Sequence, residues 1–410
     1  MLVNINSEIG ELTGVIIHTP GKEIEQMTPQ TISKALYSDL LNLNIAQNEY
    51  SYFNDVLKCW TQTFQVKDLL AQVLADEKAK KDLITKIIFA EHQLLLFEPL
   101  MQMDANKLSE ALIEGLTYSE AEFIKPNDED KYILPPLYNF FFTRDASTSL
   151  YNKVLINSMK SIVRERETFI MDAIFQNIFQ AQTISPKTFS KEARTEGGDI
   201  LIAKNNVLFV GCGTRTNKQG IDFLIDYFAN QRQQYNIIVQ ELPENPESFI
   251  HLDMVFTMLS KDKCMVYEPL ILKTNSGYNT THIEIDNGKV TYHEKNNLIE
   301  ATKAVGFDFF PVLCGGNDKW NQEREQWHSG ANFFALGEGK VIGYSRNRHT
   351  IDALNKVGFE VLRAVDVVSG KVDMKKYKEF VITFDAAELP RGGGGARCMT
   401  MPVQRAEVMW

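Results

Sequence analysis

The amino-acid sequence predicts an α/β protein with a helix-rich subdomain set into its early part. Three observations predict it. From about Tyr138 onward, short strand-like runs alternate with helical stretches. Between Pro29 and Ile124, Gly is absent until Gly115, Pro is absent between Pro29 and Pro99, and Ala, Leu, Lys, Glu and Gln are abundant. Ahead of both, a single strand opens the chain.

That opening strand is Val15–His18, in ELTGVIIHTPGKE, closed by a Pro20-Gly21 turn. In the helical stretch apolar residues recur at three and four. Leu69, Leu70, Val73 and Leu74 make one face, and Leu83, Ile84, Ile87 and Ile88 another. Residues 29–124 are therefore expected to be a helical insertion, and residues 1–28 and 125–410 the remaining α/β domain. KPNDEDKYILPP, after the helices, is expected to be a linker or exposed loop. The strand-like runs beyond it are Ile200–Ala203, Val207–Val210, Ile237–Val239, Met254–Leu259 and Val341–Tyr344, with helices at Gly220–Gln231 and Thr350–Val357. This texture is α/β. PRGGGGARCMTMP is neither helix nor sheet over its four glycines and must be a loop that brings backbone close to something.

Composition narrows the function classes. The chain has 410 residues, 44% hydrophobic and 23% charged, so it can bury a core without metal or disulfide staples. A formal net charge of -10 does not suit a nucleic-acid binder. The start, MLVNINSEIGE, has no apolar signal region, and no run reaches membrane-spanning length, so no membrane partner is expected. The five cysteines, Cys59, Cys212, Cys264, Cys314 and Cys398, are scattered and form no CxxC pair. That argues against a disulfide framework and a zinc site, and for a reducing, cytoplasmic compartment.

Five segments concentrate reactive side chains: NFFFTRD (Asn139–Asp145), EGGD (Glu196–Asp199), GTRT (Gly213–Thr216), HLD (His251–Asp253) and GGGGARCMTMP (Gly392–Pro402). Each alone is weak. A lone Cys is more often a small buried residue, EGGD more often a turn, and GGGGAR lacks the Lys-Ser/Thr of a phosphate loop. Together, a Cys, a His and several carboxylates without metal spacing suit thiolate attack on an electron-poor carbon, with the His as acid and base. Carboxylates grip a planar guanidinium through paired hydrogen bonds. Arg164 and Arg215 are available for a substrate carboxylate.

These residues resemble the arginine deiminases of the guanidine-modifying superfamily. The resemblance runs from SEIGELTGVIIHTPGKE through FTRD, the RERE at Arg164–Glu167, EGGD, GxxxRT at Gly211–Thr216 and HLDMVFTML to WHSGANFFAL, VIGYSRN and ARCMTMP. It implies a catalytic domain of ββαβ modules arranged as a five-bladed α/β propeller. It also implies Cys398 as nucleophile, His251 positioned by Glu196 as acid and base, and Asp145 and Asp253 as holders of the guanidinium. Phe142 packs on the substrate, and Asn139, Arg164 and Arg215 read its amino-acid end. No cofactor or metal is implied, and a homo-oligomer, dimer or larger, is. The implied activity is hydrolysis of free L-arginine to citrulline and ammonia.

One departure stands out. Many family members carry an Arg where this chain has Gly393, and Arg397 is then the nearest cation before the thiol. Arg166 rivals Arg164 in RERE. Asp199 is expected to support a turn, His18 to be structural, and His328 has no assigned role. Alternatives on the same scaffold are amidino transfer to an amine, and hydrolysis of agmatine, methylated arginine, peptidyl arginine or citrulline. From a different class, a non-catalytic binding protein of the same fold remains.

Overall fold

The structure, a computed structural model, describes residues 2–32, 37–123, 131–274 and 276–410. Strand β1 (Leu12–Ile17) leads, through the helix Leu43–Trp60, into β2 (Gln62–Gln65), which pairs with it in parallel. The helices Val66–Leu74, Glu77–Ala90, Phe97–Gln102 and Ala105–Glu114 follow, then the short pair β3 (Leu116–Thr117) and β4 (Tyr132–Leu134). Asp76 and Asp104 cap two of these helices by accepting backbone N–H groups. The anticipated apolar faces are buried: Leu69, Leu70, Val73 and Leu74 on one helix, Leu83, Ile84, Ile87 and Ile88 on the next. β2 is a strand where only helix was expected. Part of the expected linker, residues 125–130, lies outside the described residues.

The rest repeats one pattern. An antiparallel strand pair is followed by a helix and a third strand parallel to the second. β5 (Ser147–Leu150), β6 (Lys153–Ile156), the helix Glu165–Asn177 and β7 (Thr183–Ile184) make one such module. β8 (Ile200–Lys204), β9 (Val207–Cys212), the helix Lys218–Ala229 and β10 (Tyr235–Glu241) make the next. β11 (Phe256–Met258) and β12 (Lys263–Val266) precede a hairpin, β13 (Thr280–Asp286) and β14 (Lys289–Lys295), that joins β10. The helix Leu298–Ala304 then leads to β15 (Phe310–Leu313), parallel to β12. β16 (Phe334–Gly337), β17 (Lys340–Tyr344), the helix Arg348–Lys356, β18 (Glu360–Arg363) and β19 (Phe380–Phe384) form a further sheet, in which β17 and β18 both run parallel to β19. The last strand, β20 (Met401–Arg405), returns to pair antiparallel with β1, Leu12 opposite Arg405. With β1, the helix Leu43–Trp60 and β2 it completes the same pattern, the fifth among the described residues.

Packing ties these parts to one place. Tyr50, Phe53, Val56 and Leu57 of the helix Leu43–Trp60 share a core with β1, β17, β19, Phe141, Phe142 and Cys398. The helices of residues 66–114 share another with β6, the helix Glu165–Asn177 and Met401 and Val403 of β20. No helix among the described residues is long and apolar enough to cross a membrane.

Candidate active site

Cys398 sits just before β20, at the end of the glycine-rich loop. The loop opens with a single turn, Leu389–Gly392, and Gly393 follows at φ 84°, a left-handed conformation that suits glycine. At Gly394 a Cβ would lie 2.5 Å from the Phe142 ring, so the loop passes against that ring as only glycine can. The Tyr344 hydroxyl donates to Gly394 O at 2.9 Å. Asn332 Oδ1 accepts the backbone N–H groups of Arg397 and Cys398 at 2.9 and 3.2 Å, while its Nδ2 donates to Asp253 O at 3.1 Å. One amide therefore joins the backbone of Cys398 to the HLD segment.

His251 is buried. Its Nε2 lies 2.9 Å from Glu196 Oε2, and its Nδ1 lies 3.8 Å from Asp145 Oδ1. Gly198 passes beneath the ring so closely that a Cβ there would lie 2.4 Å from Nδ1. Asp199 Oδ1 accepts Leu252 N at 2.9 Å, which fixes the segment carrying both His251 and Asp253. Asp199, expected to support the EGGD turn, braces the HLD segment through this bond.

The two aspartates are each held by one oxygen. Asp145 Oδ2 accepts Arg164 Nη1 at 2.8 Å, and Asp253 Oδ2 accepts Arg397 Nη1 at 2.8 Å. The Cys398 thiol lies 3.9 Å from Asp253 Oδ2. The other oxygen of each, Oδ1, is buried with no hydrogen-bond partner among the described residues, as is His251 Nδ1. Unsatisfied buried acceptors are costly, so this concentration of them calls for a donor-rich cation. Arg144, adjacent to Asp145, does not pair with it. It donates to Arg397 O and to Thr400 Oγ1, both at 3.2 Å.

Arg164 is gripped bidentately by Glu167, Nε to Oε1 at 2.9 Å and Nη2 to Oε2 at 2.8 Å, besides its bond to Asp145. Its rival Arg166 points elsewhere, toward Glu91 and Pro135 O. Arg215 Nη1 reaches Glu196 Oε2 at 3.3 Å. Asn139, Phe142, Asp145, Arg164, Arg215, His251 and Cys398 line one cavity with Ile250 and Gly392–Gly394. Glu196 stands behind His251, and Asp253 beside the thiol. The cavity measures about 20 Å³, room for roughly one water. A larger cavity of about 350 Å³ shares Arg215, Ile250 and Gly393 with it and is lined further by Lys160, Glu244 and Trp327. His328 lies outside both, 3.4 Å from Arg346.

Burial alone would keep His251 neutral, but Asp145, Glu196 and Asp199 outweigh it and push the imidazole up to about 9. Burial, then Asp253 and Asp145, push the Cys398 thiol well above its ordinary range; Gly395 N–H and Arg397 oppose them. The resting pair is thus imidazolium and neutral thiol. Asp145, Glu196 and His251 bring ligand atoms within 4.8 Å of one another, a spacing that admits a cation. Within that group Glu196 Oε2 and His251 Nε2 are hydrogen-bonded to each other at 2.9 Å.

The side chains of Glu8, Asn332, Tyr344 and Glu167 were not singled out from the sequence, although each lies in a segment that carried the resemblance. Hydrogen-bonding residue types inside those segments were the available signal.

The sequence profile of the family described as arginine deiminase matches residues 33–405. The chain belongs to the arginine deiminase family. It is 30% identical to the arginine deiminase of Bacillus cereus (strain ATCC 10987 / NRS 248) over 430 residues, covering 99% of each chain. It is likewise 30% identical to that of Mycoplasma capricolum subsp. capricolum over 419 residues, covering 99% of this chain and 98% of the relative. Among solved structures it resembles an amidinotransferase of the saxitoxin biosynthetic pathway from Microseira wollei, with TM-score 0.56 and 14% identity over 100% of this chain and 98% of that one. It also resembles a dimethylarginine dimethylaminohydrolase from Pseudomonas aeruginosa complexed with citrulline, with TM-score 0.51 and 13% identity over 96% and 99%. At such identities these structures establish the fold alone: the arginine deiminase family chain shares their α/β fold.

Proposed function

We propose that the protein is an arginine deiminase that hydrolyses free L-arginine to citrulline and ammonia, with Cys398 as nucleophile. The observation that carries this reading is the pair of buried oxygens, Asp145 Oδ1 and Asp253 Oδ1, that accept no hydrogen bond among the described residues, beside a buried thiol and the His251 imidazole. A guanidinium supplies the donors these oxygens lack.

Arrival of that cation offsets the negative field that holds Cys398 as a thiol, and the thiol releases its proton to solvent. Sγ bonds to the guanidinium carbon, giving a neutral tetrahedral adduct. His251, already protonated, gives its proton to one amino group; the C–N bond breaks and ammonia leaves. The S-alkylthiouronium cation remains. Neutral His251 then takes a proton from water as the oxygen bonds to carbon. The C–S bond breaks, thiolate departs, and the hydroxyl proton is lost to give citrulline. Glu196 orients His251 throughout. Arg164 and Arg215 face the substrate's carboxylate with Asn139, and Phe142 walls its planar end.

The modules support a five-bladed α/β propeller, closed where β20 meets β1. We read residues 1–28 and 125–410 as its body and 29–124 as the insertion, of which the helix Leu43–Trp60 and β2 complete the last blade. Five unpaired cysteines support a cytoplasmic setting. The resemblance supports a homo-oligomer.

Incubation with L-arginine, agmatine, citrulline, and arginine plus an amine acceptor tests the reading. Citrulline and ammonia are expected from L-arginine alone. Transfer of the amidino group to the amine, or no citrulline, overturns it. Cys398→Ala is expected to lose turnover by about 10³-fold or more.

A further inference from the structure

Arg397 is the cation nearest the thiol in sequence, and its charge is already engaged. Its Nε and Nη2 donate to Glu8 Oε2 and Oε1 at 3.0 and 3.1 Å, and its Nη1 donates to Asp253 Oδ2 at 2.8 Å. Nη2 also reaches Ile200 O at 3.0 Å. Arg397 is fully buried, and Glu8 comes from the segment before β1, 389 residues away. One guanidinium therefore serves two carboxylates, and the trio keeps one net negative charge. The site reading above does not use Glu8.

We propose that Glu8 is a positioning residue of this site. By holding two of Arg397's nitrogens it limits how far Arg397 neutralises Asp253. The trio thus presents net negative charge to a cationic substrate, and that charge holds Cys398 as a thiol until the substrate arrives. The inference rests on the reading of Cys398 and Asp253 as active-site groups.

The surroundings support it. Glu8 faces Arg397, Arg144 and Arg405. Burial works against its charge, but the three arginines hold its carboxyl down at about 2, so it is ionised at any working pH. Cys398 faces Asp253, Asp145, Arg397 and Tyr344, with His251 across the cavity. Of these, Arg397 favours thiolate and the two aspartates oppose it. Removing the Glu8 charge leaves Arg397 and Asp253 as a neutral pair. Arg397 then offsets Asp253 more fully at the thiol, and the same pair attracts a cationic substrate less. The two effects have opposite consequences, which a merely structural contact does not produce.

The test is the pH dependence of Cys398 alkylation by iodoacetamide, read by mass spectrometry of the full-length protein, with KM for L-arginine measured alongside. Glu8→Gln is expected to lower the alkylation midpoint by about one pH unit and raise KM about tenfold. Glu8→Asp keeps the anion but draws it back, and is expected to give smaller shifts of the same sign. It also stands as the test if Glu8→Gln does not fold. A midpoint unmoved or raised in the folded variants overturns the proposal. The alkylation readout needs no turnover. A wild-type protein that makes no citrulline sinks the deiminase reading and leaves the Glu8 result to stand or fall by itself.

Discussion

Glu196 Oε2 and His251 Nε2 are 2.9 Å apart, and the same carboxylate oxygen lies 3.3 Å from Arg215 Nη1. Glu196 thus helps keep the imidazole protonated, and in the proposed mechanism that proton goes to the leaving ammonia. His251 is pushed up to about 9, and its acid form is lost as pH rises through that value. Glu196→Gln removes one anion, so the imidazole loses its proton at lower pH. The alkaline limb of the kcat profile is expected to move to lower pH, with kcat reduced about tenfold or more at the optimum. An unmoved limb refutes the role.

The same group makes stability depend on pH. A histidine raised in the folded state contributes stability that is fully present below its unfolded value near 6.5. That contribution is lost as pH rises through about 9. The midpoint of thermal unfolding is therefore expected to fall between pH 7 and pH 10. In His251→Gln this part of the fall disappears, and differential scanning calorimetry in that window reads the difference.

Gly198 sets the height of the imidazole. A Cβ at this position would sit 2.4 Å from His251 Nδ1, so Gly198→Ala must displace the ring. Displacement of a catalytic group by about 1 Å costs about 10²-fold in rate. The variant is expected to lose about that much in kcat while KM changes little. A kcat near wild type shows that the ring is held elsewhere.

Asn332 offers a separate test of how Cys398 is placed. Asn332→Ala removes the acceptor for two N–H groups and the donor to Asp253 O. Each buried group left unpaired costs about 1–3 kcal/mol, and three are left so, which makes about 3 kcal/mol or more in all. Chemical denaturation is expected to show that loss, with kcat falling further than stability explains. Asn332→Asp keeps the acceptor and is expected to be milder in both.

Much of the site was legible because its chemistry resides in residue types. A thiol, an imidazole and carboxylates in short segments named the reaction class before any geometry did. Their partners were not legible in the same way. Glu8 meets Arg397 across 389 residues, and no spacing along the chain encodes that pairing. In the fold, periodicity located the faces of the helices Val66–Leu74 and Glu77–Ala90. It did not reveal β2, four residues wedged between two helices and paired only through tertiary contact. The hairpin of β13 and β14 carries its signal in the turn alone. Asn287-Gly288, at φ 49° and 89°, is the turn pair such hairpins favour. Its outer strand is mostly exposed and polar, so no hydrophobic pattern marked it.

The pairing of Leu12 with Arg405 has a kinetic meaning. Contacts this distant in sequence close a loop of nearly the whole chain, and such closures are slow. His251 and Asp253 lie among strands that pair over short separations, whereas Cys398 directly precedes the strand that must find the chain's beginning. During refolding from denaturant, helical signal should return first and catalytic competence last. The interval between them is the time the two ends of the chain take to meet.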